Sequence, residues 1–308
     1  MLCSGTRLDI LTGKICSPEK LKSKKRELKS FKIFTYCSLA IIFLTSAAYF
    51  LKAYSYPPTT QAQTQTEPTN GSGINATHQP LTINHQQFIL PILIYHYVEY
   101  VTDERDTIRK SLNIQPNTFQ NQIDTLKNNG YIFITPSQIA EIESGKLKIE
   151  KPIIISFDDG YRDFYTDVFP ILEKNNIKAV AYIVPGFLNH LNYMYWDQVK
   201  EISQSNLVEI GAHSMHHQSL GRLSTQAAAD EINQSKLVLE LSLGRQITTF
   251  AYPYGHFTDQ TVELVRSAGF TSALTTDTGI NDSQSDLFTL HRIHPGANTG
   301  QSLLNKLE

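Results

Sequence analysis

The sequence predicts an α/β domain whose strand–helix units wind into a closed or nearly closed barrel, preceded by one transmembrane helix and a disordered linker. Three observations lead there. From Phe88 onward, short β-branched runs alternate with amphipathic stretches; several runs are apolar at every position; and there are seven or eight of them. A strand apolar on both faces belongs to a sheet covered on both sides. Regular strand–helix alternation makes that sheet parallel, and this number of units favours a barrel over an open sheet.

In chain order the predicted strands cover 88–96, 131–135, 152–158, 178–184, 207–213, 248–253, 271–276 and 288–293. Between them, Thr118 is placed to cap a helix over FQNQIDTLKNN that Gly130 ends. Ser224 caps a longer one running through Leu241 and closed by Gly244. No internal repeat is present.

Residues 1–32 hold nine Lys/Arg against three acids and read as a basic cytoplasmic tail. Residues 33–51 carry no charge; as a helix they span roughly 28 Å, close to the ~30 Å hydrocarbon core. With the basic side inside, everything after Lys52 lies in the periplasm or outside the cell. A cleaved signal peptide is the rival, but Thr45-Ser-Ala-Ala48 is a loose cleavage match buried within the run. Residues 52–87, rich in Pro, Thr, Gln and Asn, lack the large hydrophobes needed to offset ordering and read as a flexible tether. Residues 88–308 are the folded domain.

The formal charge of −2 over 308 residues gives no footprint for nucleic acid. Cys3, Cys16 and Cys37 all precede the domain, so neither a disulfide framework nor a thiolate metal site is available within it. Any metal there must use His and carboxylate.

Ligands of such folds bind at the C-terminal ends of the strands. Asp158 and Asp159 follow the run IIISF; His213 ends VEIGAH, with His217 four residues on; Pro253-Tyr-Gly-His256 follows TTFAY; His291 and His294 flank the last strand. Each alone has an ordinary reading. Asp-Asp-Gly is a common turn, His-x-x-x-His arises by chance on a helical face, and Pro-Tyr-Gly marks a turn. Gathered at one edge, they suggest a site. Two neutral imidazoles and a carboxylate suit Zn²⁺ or another borderline divalent ion. The Glu of a His-Glu-x-x-His protease helix is absent, since Ser214 stands there. Asp158 is the nearest candidate base.

Ser156-Phe-Asp-Asp-Gly160, His213-Ser-Met-His-His217 and Phe250-Ala-Tyr-Pro-Tyr-Gly255 resemble three ordered motifs of the NodB-type polysaccharide deacetylases, carbohydrate esterase family four. Pro91-Ile-Leu-Ile-Tyr-His-Tyr97 is similar to the opening strand of the branch acting on poly-N-acetylglucosamine, and Tyr195-Trp-Asp-Gln-Val199 and Leu290-His-Arg-Ile293 resemble segments there. The resemblance implies a distorted (β/α) barrel and hydrolysis of N-acetyl groups on a polysaccharide substrate. It places Asp159, His213 and His217 on the metal and makes Asp158 the base that deprotonates a metal-activated water. The backbone N–H of Tyr254 becomes an oxyanion donor.

Two departures accompany it. Many members carry an Arg two residues before the third-motif Pro to orient the base; here that position is Ala251. The general acid is open between His294, His291 or neither. His96 ends the first strand and could point into the site, but reads first as a hydrogen-bonding histidine that supports the site or the structure, and His216 is expected to face away from its neighbours. Tyr161, Tyr193, Tyr195 and Trp196 are candidates for sugar stacking, with Trp196 equally suited to core packing. The competing functions are a catalytically weak carbohydrate-binding module on the same barrel and an O-acetyl esterase acting on xylan or peptidoglycan.

Overall fold

Alternation along strands buried on both faces organises the domain. The computed structural model describes residues 87–101 and 105–308. The tail, the apolar run and the tether predicted for 1–87 therefore lie outside the described residues, Gln87 excepted. Among the described residues no helix is long and apolar enough to cross a membrane.

The strands are β1 (Ile89–Leu90), β2 (Ile92–Tyr95), β3 (Tyr97–Val98), β4 (Asn113–Ile114), β5 (Ile132–Phe133), β6 (Pro152–Phe157), β7 (Ala179–Ile183), β8 (Val208–Ala212), β9 (Thr249–Ala251), β10 (Ser272–Thr278), β11 (Asn281–Asp282) and β12 (Leu290–Arg292). The main sheet runs β12-β10-β9-β8-β7-β6-β2, entirely parallel, with β5 paired to the start of β6. Ile293 nearly closes the ring. Its N–H donates to Ile92 O at 2.7 Å and its carbonyl accepts from Ile94 N–H at 3.0 Å. Two small pairs, β1 with β11 and β3 with β4, flank this barrel.

All eight predicted strands are present with adjusted ends. The first is interrupted at Pro91, and the seventh runs on to Thr278. Pro lacks the N–H that an unbroken ladder needs.

Neighbouring residues along a strand serve opposite layers. Ile92, Ile154, Val180, Tyr182, Leu274 and Leu290 share one buried cluster that fills the barrel. Leu93, Ile153, Ile155, Ala181, Ile210 and Phe250 join a second cluster beneath the helices. Each such side chain contributes about 1.5–3 kcal/mol by leaving water. Phe88, Leu90, Ile139 and Ile142 belong to the inner cluster and plug one end, which leaves the other end for polar groups. The interior is tight. A Cβ on Gly211 would lie 2.4 Å from the Tyr182 ring, whose hydroxyl pairs with Thr249 Oγ1 at 2.8 Å.

The helices obey their sequence signals with one correction. Thr225–Leu243 is capped by the Ser224 side chain and ends at Gly244 in the left-handed region, and it buries Ala228, Ile232, Ser235 and Leu239 along one face. The helix expected to start after Thr118 instead spans Pro116–Asn128, with Gln115 as N-cap. Proline at the first position suits a helix start, because its missing N–H would have no partner there. Gln122 on that helix accepts from the Tyr95 hydroxyl and donates to Gly296 O and Asn298 O, anchoring the loop after the last strand.

Candidate active site

The inner/outer alternation dictates which residues reach the barrel mouth. Asp158 continues the inner set of β6, His213 that of β8, Arg292 that of β12 and His96 that of β2. All four stand at the C-terminal ends of parallel strands. His291 has the opposite parity and is exposed, packed against Gly279, so it is not in the site.

Asp159, His213 and His217 converge, each offering one ligand atom within 4.8 Å of the others. His217 Nε2 lies 3.1 Å and His213 Nε2 3.5 Å from Asp159 Oδ1, which is buried and has no hydrogen-bond partner. His213 Nδ1 sits 2.7 Å from Ala251 O. A carbonyl can only accept, so Nδ1 carries the proton and Nε2 presents its lone pair. An orphaned carboxylate oxygen facing imidazole nitrogens is the donor set of a divalent-metal site with open positions, so these residues fit such an ion.

The two histidines are not brought together by a helical turn. Residues 213–217 form an irregular loop, with positive φ at Ser214 (58°) and His217 (55°). Eight described non-glycine residues have positive φ; four are asparagines, which tolerate it, and the others are Asp159, Ser214, His217 and Tyr254. Every costly instance thus falls at this mouth, at roughly 1–3 kcal/mol each. His216, between the ligand candidates, turns outward as expected, and Glu231 takes both its N–H and its ring Nδ1.

Asp158 is 3% exposed and held by Arg292 through two 2.8 Å bonds, Nη1 to Oδ1 and Nη2 to Oδ2. Arg292 is itself fully buried; its Nε donates to Thr275 O and its Nη1 also reaches Ser156 Oγ. This is the residue that sequence reasoning missed. With Ala251 in the usual place of the base-orienting arginine, a guanidinium from β12 reaches Asp158, the candidate base, instead. The signal was present in Leu290-His-Arg-Ile293, where alternation turns Arg292 inward.

Burial opposes ionisation of Asp158, yet Arg292 and then His213 hold its carboxyl below the ordinary carboxylate value. Asp159 is likewise buried, and the two imidazoles outweigh this to hold it well below that value. For His213, burial works against a proton, but Asp158 and Asp159 prevail and raise it. His96 behaves differently. Burial, aided by Arg292 and His213, lowers it despite the pull of both carboxylates. His96 thus stands at the C-terminal end of β2 on the inner side of the barrel, close enough to feel both carboxylates. Exposed His294 is lowered too, by burial of its ring and by His96 and Arg292.

The Tyr254 ring is 57% exposed and its centroid stands 4.5 Å from that of His217, while Pro253 and Gly255 hold the turn that aims its backbone. The tyrosines of the opposite wall differ from expectation. Tyr161 stacks between Tyr97 (3.9 Å) and Tyr193 (5.0 Å), and Tyr193 meets Phe187 (5.0 Å), so their faces are occupied by one another. The Tyr195 ring lies under Arg162, and Trp196 packs against the outer core.

Residues 146–273 match the family described as polysaccharide deacetylase. The Bacillus subtilis protein YxkH is 29% identical over 205 residues, covering 66% of this chain and 70% of its own. The poly-beta-1,6-N-acetyl-D-glucosamine N-deacetylase of Staphylococcus aureus is 24% identical over 202 residues, 61% of this chain and 69% of its own. Among solved structures, the Streptococcus pyogenes deacetylase PplD in complex with acetate superposes with a TM-score of 0.68 at 27% identity, covering 72% of this chain and all of that one. The family match begins after His96 and ends before Arg292, so both residues come from the fold rather than the profile. Motif order, barrel and likenesses agree: residues 146–273 match the polysaccharide deacetylase family, and the homologues and fold support a deacetylase hydrolase.

Proposed function

We propose that this domain removes N-acetyl groups from N-acetylglucosamine units of an extracytoplasmic polysaccharide, poly-N-acetylglucosamine or a cell-wall glycan, with a divalent ion held by Asp159, His213 and His217. The observation that carries the reading is Asp159 Oδ1, buried and unpartnered opposite two imidazoles. Zn²⁺ suits this nitrogen-rich donor set best. Bound there, the ion polarises the amide carbonyl and acidifies water.

The chain's own residues do the rest. Asp158, kept ionised by Arg292, accepts a proton from the attacking water as its oxygen bonds to the amide carbon. The Tyr254 N–H, presented by its left-handed turn, donates to the oxygen on which negative charge develops. Cleavage of the carbon–nitrogen bond then needs a proton on nitrogen. His96, on the inner side of the strand end beside Asp158, is the better donor, since His291 faces outward. Neutral in the free site, it takes up a proton from solvent as negative charge builds on the substrate and delivers it to the leaving nitrogen, while Asp158 returns the proton it took from water to solvent as the site resets. The products are acetate and a free amine. The uncharged run 33–51 serves as the anchor, holding the domain outside the membrane on residues 52–87.

Incubation with poly-β-1,6-N-acetylglucosamine oligomers and, separately, with O-acetylated xylan tests the reading. Acetate and new primary amine in equal amounts from the first substrate are expected. Acetate from xylan alone, without amine, would replace this reading with an O-acetyl esterase.

A further inference from the structure

Asp163 is a buried carboxyl to which the mechanism above gives no task. It is 5% exposed. Burial is the main influence on it and Glu99 adds to it; together they outweigh the Val98 N–H and push the carboxyl up to about 7. Oδ2 accepts the Val98 N–H at 2.6 Å, while Oδ1 is buried with no partner. A half-satisfied carboxylate is a costly way to meet one backbone donor, so its presence calls for a purpose beyond satisfying Val98.

Its position supplies one. Asp163 lies four residues beyond Asp159, directly after the turn that carries the base and a ligand candidate. Val98 is two residues beyond His96 and fully buried in β3. The next N–H, of Glu99, is fixed by Ile114 O and Asn113 Oδ1 of β4. The Tyr97 and Tyr161 rings stack beside this junction, but stacked rings can slide, whereas a 2.6 Å hydrogen bond sets direction and distance. The β2–β6 ladder ends with the Asp158 N–H donating to Tyr95 O at 3.0 Å, and beyond it the Asp163 carboxyl ties the stretch after Asp159 to the turn that follows His96.

We propose that Asp163 is a positioning residue: by accepting the Val98 N–H it fixes the turn after β2 and with it the orientation of His96 at the barrel mouth. This rests on His96 acting as proton donor in the reading above. Mispositioning of a proton donor costs rate rather than ground-state binding, so the effect belongs in kcat.

The test is a double-mutant cycle on poly-N-acetylglucosamine oligomers, with bound metal and Tm measured alongside. Asp163→Ala should lower kcat by about tenfold or more with KM and metal content kept, and Asp163→Asn, which retains an acceptor, should recover most of it. In a His96→Ala background Asp163→Ala should cost nothing further. Equal losses in both backgrounds, or an Asn variant no better than Ala, would overturn the proposal. Full activity in His96→Ala alone would remove the proton-donor reading and this inference with it, leaving the metal site untouched. Should the Ala variant fail to fold, Asp163→Leu, which fills the volume without an acceptor, is read in its place.

Discussion

Arg292 and Asp158 show how far one residue's environment sets its chemistry. Both are buried, so neither charge is tolerable alone, and the paired bonds keep the base ionised and oriented. Arg292→Met leaves the carboxylate uncompensated and should cost about 3–5 kcal/mol, read by chemical denaturation at pH 7. The folded value of Asp158 is depressed, so its stabilising contribution is complete above the unfolded carboxylate value, ~3.9, and is lost as pH falls through the folded value. Without Arg292, burial is left unopposed and raises the Asp158 carboxyl, so the variant recovers stability as pH falls from 7 toward ~3.9 and the gap narrows, closing further below that as the wild type loses its ion pair; a gap independent of pH would refute the ion-pair account. At this scale local motifs mark Asp158, Asp159, His213 and His217, and the structure brings these four together. Arg292 stands alone in its strand, and only the approach of the last strand to the first brings it to Asp158.

Elements were legible where the apolar pattern was continuous. Each of the eight expected strands formed, since runs such as Pro152–Phe157 have no polar face to offer water. The His213–His217 spacing was ambiguous, because a four-residue step fits a helix as well as a loop. The structure uses a loop, whose left-handed residues turn the second imidazole back toward the first. Thr118 was mistaken for a cap because a threonine signal was weighed above the proline two residues earlier. Inside the barrel, Gly211 on β8 makes room for Tyr182 on β7. Gly211→Ala should therefore overpack the interior by about 1–3 kcal/mol, seen as a lower Tm. An unchanged Tm would mean that the two strands are not in this register.

At the scale of the whole molecule, closure of the barrel is what assembles the site. Ile293 bonds to both Ile92 and Ile94, drawing the last strand against the first, so Arg292 from the far end of the domain reaches Asp158 beside the strand that ends at His96. The described residues carry two buried core clusters of their own, so a chain of residues 87–308 should fold cooperatively and keep its hydrolytic activity on soluble oligomers. Loss of folding without the first 86 residues would contradict this. The anchor and tether are expected to set where the enzyme works rather than how.

The central claim is that Asp159, His213 and His217 hold a metal that hydrolysis requires, with Asp158 as a base distinct from it. Its most direct test measures bound metal and acetate release together, for wild type before and after chelation and for Asp158→Asn. Chelated wild type should fall silent and recover on adding Zn²⁺, and Asp158→Asn should keep its metal while losing about 10²–10⁴ in kcat. Acetate release that survives complete metal removal, or an Asp158→Asn variant as fast as wild type, would contradict the account.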